Sequence, residues 1–262
     1  MFRLLTYNIR EGGHGRTGAL AEVINACAPD LVLLQEASAP ANIEQLAAAT
    51  GMAEWRALAG QSLGFMSRRP VAFCEWVRPR ISRHAFVDIV PAGEGLRVFG
   101  VHLSAVHAAW TERRRVLELR ALLRGVARHQ QGFHVLAGDF NTVAPGDMFD
   151  VWQLPARVRP FVWMSGGRIR WRTVQTVIDA GYLDAFRATH PNDPGGTLPT
   201  PAPHVRLDYV FLPRTDAARL ADCRVIRHPL AAAASDHFPV QADLLDGPLQ
   251  PAPPVPEAMS KA

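Results

Sequence analysis

Apolar residues follow two interleaved patterns along the chain. Short unbroken apolar runs recur, and each ends abruptly in polar residues: FRLLTYNIR at the N-terminus, DLVLLQEA from Asp30, LRVFGVHLS from Leu96 and FHVLAGDF from Phe133. An unbroken run, rather than an alternating one, predicts a strand buried on both faces. Between these runs, apolar residues recur at helical spacing. TGALAEVINAC predicts a helix stopped by Pro29, and APANIEQLAAATG one closed by Gly51. AWTERRRVLELRALLRGVARHQ predicts a long amphipathic helix with Val116, Leu119, Leu122, Leu123 and Val126 on one side, and RTVQTVIDAG a short one. SLGFMS and VAFCEWV read as shorter strands within residues 53–90, and RLDYVFL, RLADCRVIRH and FPVQADLL close the pattern as strands. Residues 143–171 carry no regular period.

Helices interleaved with buried strands, and shorter strands pairing locally, predict an α/β (α+β) fold. Two mostly antiparallel sheets pack face to face, with helices on both outer sides. At 262 residues and 48% hydrophobic composition the chain can bury a large core. No linker interrupts it, so one domain is expected over residues 1–246. The Pro-rich stretch GPLQPAPPVPEAMSKA, residues 247–262, predicts a disordered tail. No apolar run approaches the length of a membrane span. The N-terminus lacks the h-region and cleavage site of a signal peptide. Cys27, Cys74 and Cys223 form no CxxC pair, which predicts reduced, buried thiols in a cytoplasmic protein.

The net charge of +4 is compatible with a nucleic-acid or phosphate partner. However, of the 28 Lys and Arg residues only Lys261 is a lysine. That imbalance, with abundant Ala and Pro, reads as a compositional bias, and charge adds little to the functional argument.

The polar residues that end the strands say more. Asn8 follows LLTY, Glu36 follows LVLLQ and His102 follows VFGV. Asp139 and Asn141 follow VLAG. Asp208 sits within RLDYVFL, and Asp236 and His237 precede FPVQADL. One such residue is ordinarily a satisfied strand-end group. Several carboxylates gathered at comparable places are costly to bury unless cations or hydrogen bonds compensate. Strand ends brought to one edge of a sheet form a cleft, and an oxygen-rich metal pocket flanked by histidines is the economical explanation. Carboxylate and amide oxygens suit Mg²⁺ or Mn²⁺. A hard cation beside Asp, Asn and His suits phosphoryl chemistry.

The segments TYNIR, LLQEA, VHLS, GDFNT, RLDYVFL and SDHFPV, in that order, resemble the endonuclease/exonuclease/phosphatase superfamily, deoxyribonuclease I-like. The resemblance spans Thr6 to about Val240. It implies a four-layer sandwich and a divalent-metal-dependent phosphoester hydrolase. It further implies Glu36 as the principal metal ligand, with Asn8 and Asp236 close to the metal or to a second metal position. Asp139 would orient or deprotonate the attacking water, and Asn141 would hold a phosphate oxygen and Asp139. His237 would contact the scissile phosphate, with Asp208 setting its tautomer. His102 resembles the second catalytic histidine of the deoxyribonuclease I and sphingomyelinase branches. The tyrosine-bearing YVPN-like segment of the exonuclease III and apurinic branch is missing, which argues against apurinic-site repair.

Substrate remains open at this level. A phosphodiester of DNA or RNA leads. A small or lipid phosphoester is the alternative, and a silent phosphate-binding protein is a third reading. RVRPFVWMSGGRIRWR, Arg157 to Arg172, alternates Arg with Phe161, Trp163 and Trp171. Arg168, Arg170 and Arg172 could hold phosphates while the aromatics stack bases; the same stretch could seat a lipid head group or cover the core. Arg206 could contact phosphate or pair with an acid. Arg113, Arg114 and Arg115 read as a solvated helix face, and His14, His107, His134 and His204 as surface or loop histidines.

Overall fold

The computed structural model describes residues 1–105, 108–127, 132–147, 150–153, 156, 159–164, 166 and 171–245. The expected tail at 247–262, Arg168, Arg170 and His107 lie outside the described residues. Strands β1 (Phe2–Asn8), β2 (Leu31–Gln35), β3 (Glu54–Ala57), β4 (Leu63–Ser67), β11 (Leu220–Val225) and β12 (Val240–Leu244) form one sheet, in the order β11-β12-β1-β2-β4-β3. Strands β5 (Val71–Val77), β6 (Phe86–Pro91), β7 (Leu96–His102), β8 (Phe133–Asp139), β9 (Tyr182–Asp184) and β10 (Asp208–Pro213) form the other, in the order β5-β6-β7-β8-β10-β9.

Both sheets are mixed. Each has a parallel pair near its centre, β1 with β2 and β7 with β8, and antiparallel strands around it. Each parallel pair is joined by a helical crossover, because two parallel strands cannot be linked by a tight turn. Helix α1 (Thr17–Cys27) makes the first crossover, and α3 (Ala109–Ala127) lies in the second. Helix α2 (Pro40–Thr50) follows β2 and ends at Gly51, whose φ of 64° supplies the left-handed cap. The shorter helices α4 (Arg159–Met164), α5 (Arg172–Asp179), α6 (Ala185–Thr189) and α7 (Ala231–Ala234) complete the set.

The unbroken apolar runs are explained by burial on two sides. Leu4, Leu31, Leu33, Phe65, Val98 and Val135 point between the sheets. Leu5, Tyr7, Val32 and Leu34 face Val23, Ile24, Ile43 and Leu46 of α1 and α2. Phe99, Val101, Leu136 and Phe211 face Leu119, Leu122 and Val126 of α3 and Val174 and Val177 of α5. This is the expected four-layer sandwich. Among the described residues no helix is long and apolar enough to cross a membrane. Cys27 and Cys223 are buried and Cys74 half-buried, all three as free thiols.

Two expectations from the sequence are corrected. Arg115 does not belong to a solvated face: it is 1% exposed. Its guanidinium bonds Glu112 Oε2 at 2.9 Å and the Ser104 carbonyl at 2.8 Å. Glu112 in turn accepts from Thr142 Oγ1 at 3.2 Å and from the Thr173 N–H at 2.8 Å. The polar side of α3 therefore braces the chain after β7, the chain after β8 and the start of α5. Arg113 and Arg114 are exposed, as expected. His134 is buried too, with Nε2 2.7 Å from the Tyr182 hydroxyl.

Removing Glu112 would leave the Arg115 charge buried without its carboxylate. Glu112→Ala should lower unfolding free energy by roughly 3–5 kcal/mol, the usual effect of breaking a buried pair. Arg113→Ala on the exposed face should change it by less than about 0.5 kcal/mol. Urea unfolding of both variants tests this; similar losses would mean that the network does not brace the fold.

Candidate active site

Strand direction decides which side chains meet. The parallel strands β1, β2, β7 and β8 end at one edge of the sandwich, and the antiparallel strands beside them begin there. Asn8 ends β1 and pairs in register with Gln35, one residue before Glu36. His102 ends β7 opposite Asp139, which ends β8. Asp208 opens β10, directly across from Asp139. β12 begins with Val240 opposite Thr6, so Asp236 and His237 lie just before it at the same edge. Ligand sites at the carboxyl ends of parallel strands are a general property of α/β sheets.

The turns that deliver these groups are tight. Gly138 has φ 139°, and a Cβ there would fall 1.9 Å from the Val101 carbonyl oxygen. Only glycine lets β8 approach β7 this closely before Asp139. Glu36 (φ 58°) and Asn141 (φ 52°) occupy the left-handed region, unusual for a glutamate and commoner for Asn. The Glu36 turn is held by backbone bonds from Gly12 and Ser38 to its carbonyl, at 2.9 and 2.8 Å. The Glu11 N–H also donates to Glu36 Oε2 at 2.6 Å. Strain of about 1–3 kcal/mol persists only where surrounding bonds enforce it, and it concentrates at functional sites.

Asp139 is the hub. Its Oδ1 accepts from the Asn141 N–H at 2.8 Å, and its Oδ2 from Asn8 Nδ2 at 3.1 Å. Asn8 Nδ2 also reaches Glu36 Oε1 at 3.3 Å, so one carboxamide links the two acids. The Asn141 side chain donates to the Leu103 carbonyl at 3.0 Å and ties the β8 turn to the end of β7. Asp208 Oδ2 lies 2.8 Å from His237 Nδ1. The His237 N–H and the Ser235 hydroxyl complete the edge, Ser235 Oγ donating to the Asn8 carbonyl at 2.7 Å. Asp236 is half-exposed, with Arg10 Nε 3.9 Å from its Oδ2.

The charges are unequal in consequence. Burial alone would lower the pKa of His237, but Asp208, then Asp139 and Asp236, override it and raise it to about 10. Burial, then Asp208, pushes the Asp139 carboxyl up to about 7, against the pull of His237, Asn141 and Asn8. Burial lowers His102 to about 3, and His84, His237 and Arg83 act in the same direction. The site thus holds one cationic and one neutral histidine.

A hard divalent cation fits this donor set. Glu36 and Asp236 offer carboxylate oxygens and Asn8 a carboxamide, with no sulfur among them. Asp208 Oδ1 is buried without a hydrogen-bond partner among the described residues. Burial first, and the neighbouring Asp208 second, hold the Asp139 pKa up, and a cation would favour its charged form. Asp139, Asp208 and His237 also bring ligand-type atoms within 4.8 Å of one another. In that trio, though, His237 Nδ1 and Asp208 Oδ2 already serve each other.

The structure therefore gathers Asn8, Glu36, His102, Asp139, Asn141, Asp208, Asp236 and His237 at one edge. It does not add Arg206. That side chain is 2% exposed; it pairs with Asp147 Oδ2 at 3.1 Å and Asp184 Oδ2 at 2.7 Å and lies over the Tyr209 ring. Of the two readings open for Arg206, pairing with acids is the one realised. Arg172 is exposed at the start of α5. Trp152 and Trp163 are exposed and pack edge to face at 5.9 Å, with Arg159 over the Trp152 ring. Sequence reasoning missed Ser62 and His84, both in contact with His102. Their signal was positional: Ser62 lies one residue and His84 two residues before a strand antiparallel to a motif-bearing strand.

A family model described as Endonuclease/Exonuclease/phosphatase family matches residues 5–237. No curated protein matches the chain significantly. Among solved structures, an AP endonuclease from Archaeoglobus fulgidus is similar at TM-score 0.72 and 17% identity, covering 93% of this chain and 99% of its own. A Neisseria 3′ phosphatase, NExo, bound to product DNA hairpin is similar at TM-score 0.70 and 20% identity, covering 93% and 99%. An endonuclease/exonuclease/phosphatase from Beutenbergia cavernae matches at TM-score 0.67 and 24% identity, covering 94% and 72%. At these identities the likeness establishes the fold.

The His237 shift carries a stability consequence. Its folded pKa of about 10 lies above the ordinary 6.5, so the folded state holds the extra proton between those values. That contribution is fully present below pH 6.5 and disappears as pH rises toward 10. In chelator, wild-type protein should lose stability from pH 6.5 to 10 more steeply than His237→Gln, measured by urea unfolding. Equal slopes would mean that His237 carries no retained charge.

Proposed function

The chain belongs to the endonuclease/exonuclease/phosphatase family, and we propose that it is a Mg²⁺- or Mn²⁺-dependent phosphodiesterase acting on DNA or RNA. The observation that carries the reading is the buried Asp208–His237 pair set against Asp139. A carboxylate on one ring nitrogen fixes the imidazole and favours its protonated form, which leaves the other N–H as a charged donor. Such a donor stabilises negative charge developing on a phosphate oxygen. Asp139, with a raised pKa, is suited to position a water and take its proton. Asn141 holds Asp139 through its backbone N–H and Asn8 holds it through its carboxamide. Glu36 would be the principal metal ligand, with Asn8 and Asp236 beside it. When bound, the cation supplies charge neutralisation at the phosphate oxygens.

Nucleic acid is the proposed substrate because exposed Trp152, Trp163 and Trp171 accompany Arg159 and Arg172 near the chain that follows β8. Aromatic rings beside arginines can stack bases and hold backbone phosphates. The similar solved structures include an AP endonuclease and a 3′ phosphatase bound to product DNA hairpin, and they lend this reading support by analogy. The alternative is a small or lipid phosphoester. A silent binding protein is opposed by the complete set of acids and histidines.

A substrate panel tests the proposal: plasmid DNA, single-stranded DNA, RNA, sphingomyelin, inositol phosphates and a chromogenic phosphodiester, each with Mg²⁺ or Mn²⁺. Cleavage of DNA or RNA, abolished by chelator, is expected. Turnover of sphingomyelin or inositol phosphates alone would replace the substrate, and chelator-resistant turnover would remove the metal. Within an active enzyme, Glu36→Gln should keep the fold while weakening Mg²⁺ binding in calorimetry and lowering kcat; unchanged Mg²⁺ affinity would exclude Glu36 as ligand. His237→Ala should lower kcat on the order of 10²-fold or more. Because Asp208 and His237 act as a unit, Asp208→Asn added to His237→Ala should lower it little further. Additive losses would defeat the pairing.

A further inference from the structure

His102 and His237 flank the same aspartate, yet their partners differ in kind. His237 leans on a carboxylate. His102 Nδ1 is in hydrogen-bond contact with the hydroxyl of Ser62. Its Nε2 faces Asp139 Oδ2 at 3.9 Å. Its ring is stacked on His84, with centroids 4.7 Å apart and planes 4° from parallel.

These contacts come from separate elements held to one another. Ser62 precedes β4, and its carbonyl accepts from the Ala37 N–H at 2.9 Å, beside Glu36. His84 precedes β6, and the adjacent Arg83 N–H donates to Glu118 Oε1 of α3 at 2.9 Å. Glu118 also accepts from the Ser104 hydroxyl at 2.9 Å, two residues beyond His102. One buried carboxylate thus fixes both turns that carry the stacked rings.

The proton on His102 can be placed from these neighbours. A carboxylate accepts hydrogen bonds, so an Nε2 lone pair aimed at Asp139 is repelled and an Nε2–H attracted. A hydroxyl can donate or accept, and beside a lone pair on Nδ1 it must donate. A second imidazole lying parallel penalises charging both rings at once.

We propose that Ser62 is a positioning residue: it donates to Nδ1 and, with His84 clamping the ring plane, holds His102 as the neutral Nε2–H tautomer. His102 then offers the substrate phosphate a hydrogen bond and not a proton. Two histidines at one phosphate are divided in role by their partners, a carboxylate for the charged one and a hydroxyl for the neutral one. The kinetic part rests on the phosphodiesterase reading; the tautomer does not.

Long-range ¹H–¹⁵N correlation of imidazole-labelled full-length protein in chelator at pH 8, with Asp139 as the carboxylate, reads the tautomer directly. His102 is assigned by the signals lost in His102→Gln. The Nε2–H pattern is expected in wild type and Ser62→Thr, and a mixture of tautomers in Ser62→Ala. In turnover of the best panel substrate, Ser62→Ala should lower kcat about fivefold to tenfold, the worth of one hydrogen bond, with KM within about twofold. Ser62→Thr should restore it. A proton on Nδ1 in wild type overturns the proposal while leaving the phosphodiesterase reading intact. A Ser62→Ala spectrum and kcat equal to wild type also overturn it. If no phosphoester is hydrolysed the wild-type spectrum still decides the tautomer, and it decides equally if Ser62→Ala fails to fold.

Discussion

Asp139 and Asp208 face each other across an antiparallel pair of buried strands. Like charges so placed destabilise a sheet, and the rest of the site is arranged around that pair. His237 lies against one acid at 2.8 Å, and Asn8 and the Asn141 N–H bond the other. Compensation is incomplete: one Asp208 oxygen has no partner among the described residues, and the Asp139 carboxyl is pushed up to about 7. A fold selected for stability alone would put apolar residues at these strand ends. Their placement in a buried, partly unsatisfied state supports the proposed cation and phosphate site.

The surroundings keep that cluster in register. Three ion-pair groups fasten the loops behind it. Arg206 joins Asp147 to Asp184, and Arg187 reaches Asp147 at 2.9 Å. Glu112 and Arg115 hold Ser104, Thr142 and Thr173. Glu118 holds Ser104 and Arg83. The chain beside His102 and Asn141 is thus fastened through Ser104 and Thr142 to buried carboxylates, while the strained Glu36 turn is held by the backbone bonds from Gly12 and Ser38.

Much of this was legible in the sequence, for a definable reason. A strand buried on both faces is an unbroken apolar run, so its end is visible as an abrupt change of polarity, and Asn8, Glu36, His102 and Asp139 all sit at such changes. The layering followed from helical runs between them. Residues that act from the start of an antiparallel strand carry no such contrast: Ser62 and His84 are preceded by irregular sequence, and their partner His102 is distant in the chain. Arg206 was ambiguous because Asp147 and Asp184 approach only in the fold. Arg115 was misread because a run of three arginines looks solvated, although helical rotation carries the third to the same side as Glu112 and Leu119.

In the proposed ion-free site, Asp139 is poised to lose its proton when a cation arrives. Calorimetric titration of Mg²⁺ into chelator-treated protein at pH 6.5, repeated in buffers of different ionisation enthalpy, measures that directly. With Asp139 near 7, saturable binding should release a substantial fraction of one proton, seen as an enthalpy that varies linearly with the buffer's. Binding with a buffer-independent enthalpy, or no saturable binding, would contradict the claim that these strand-end acids form one metal-dependent site.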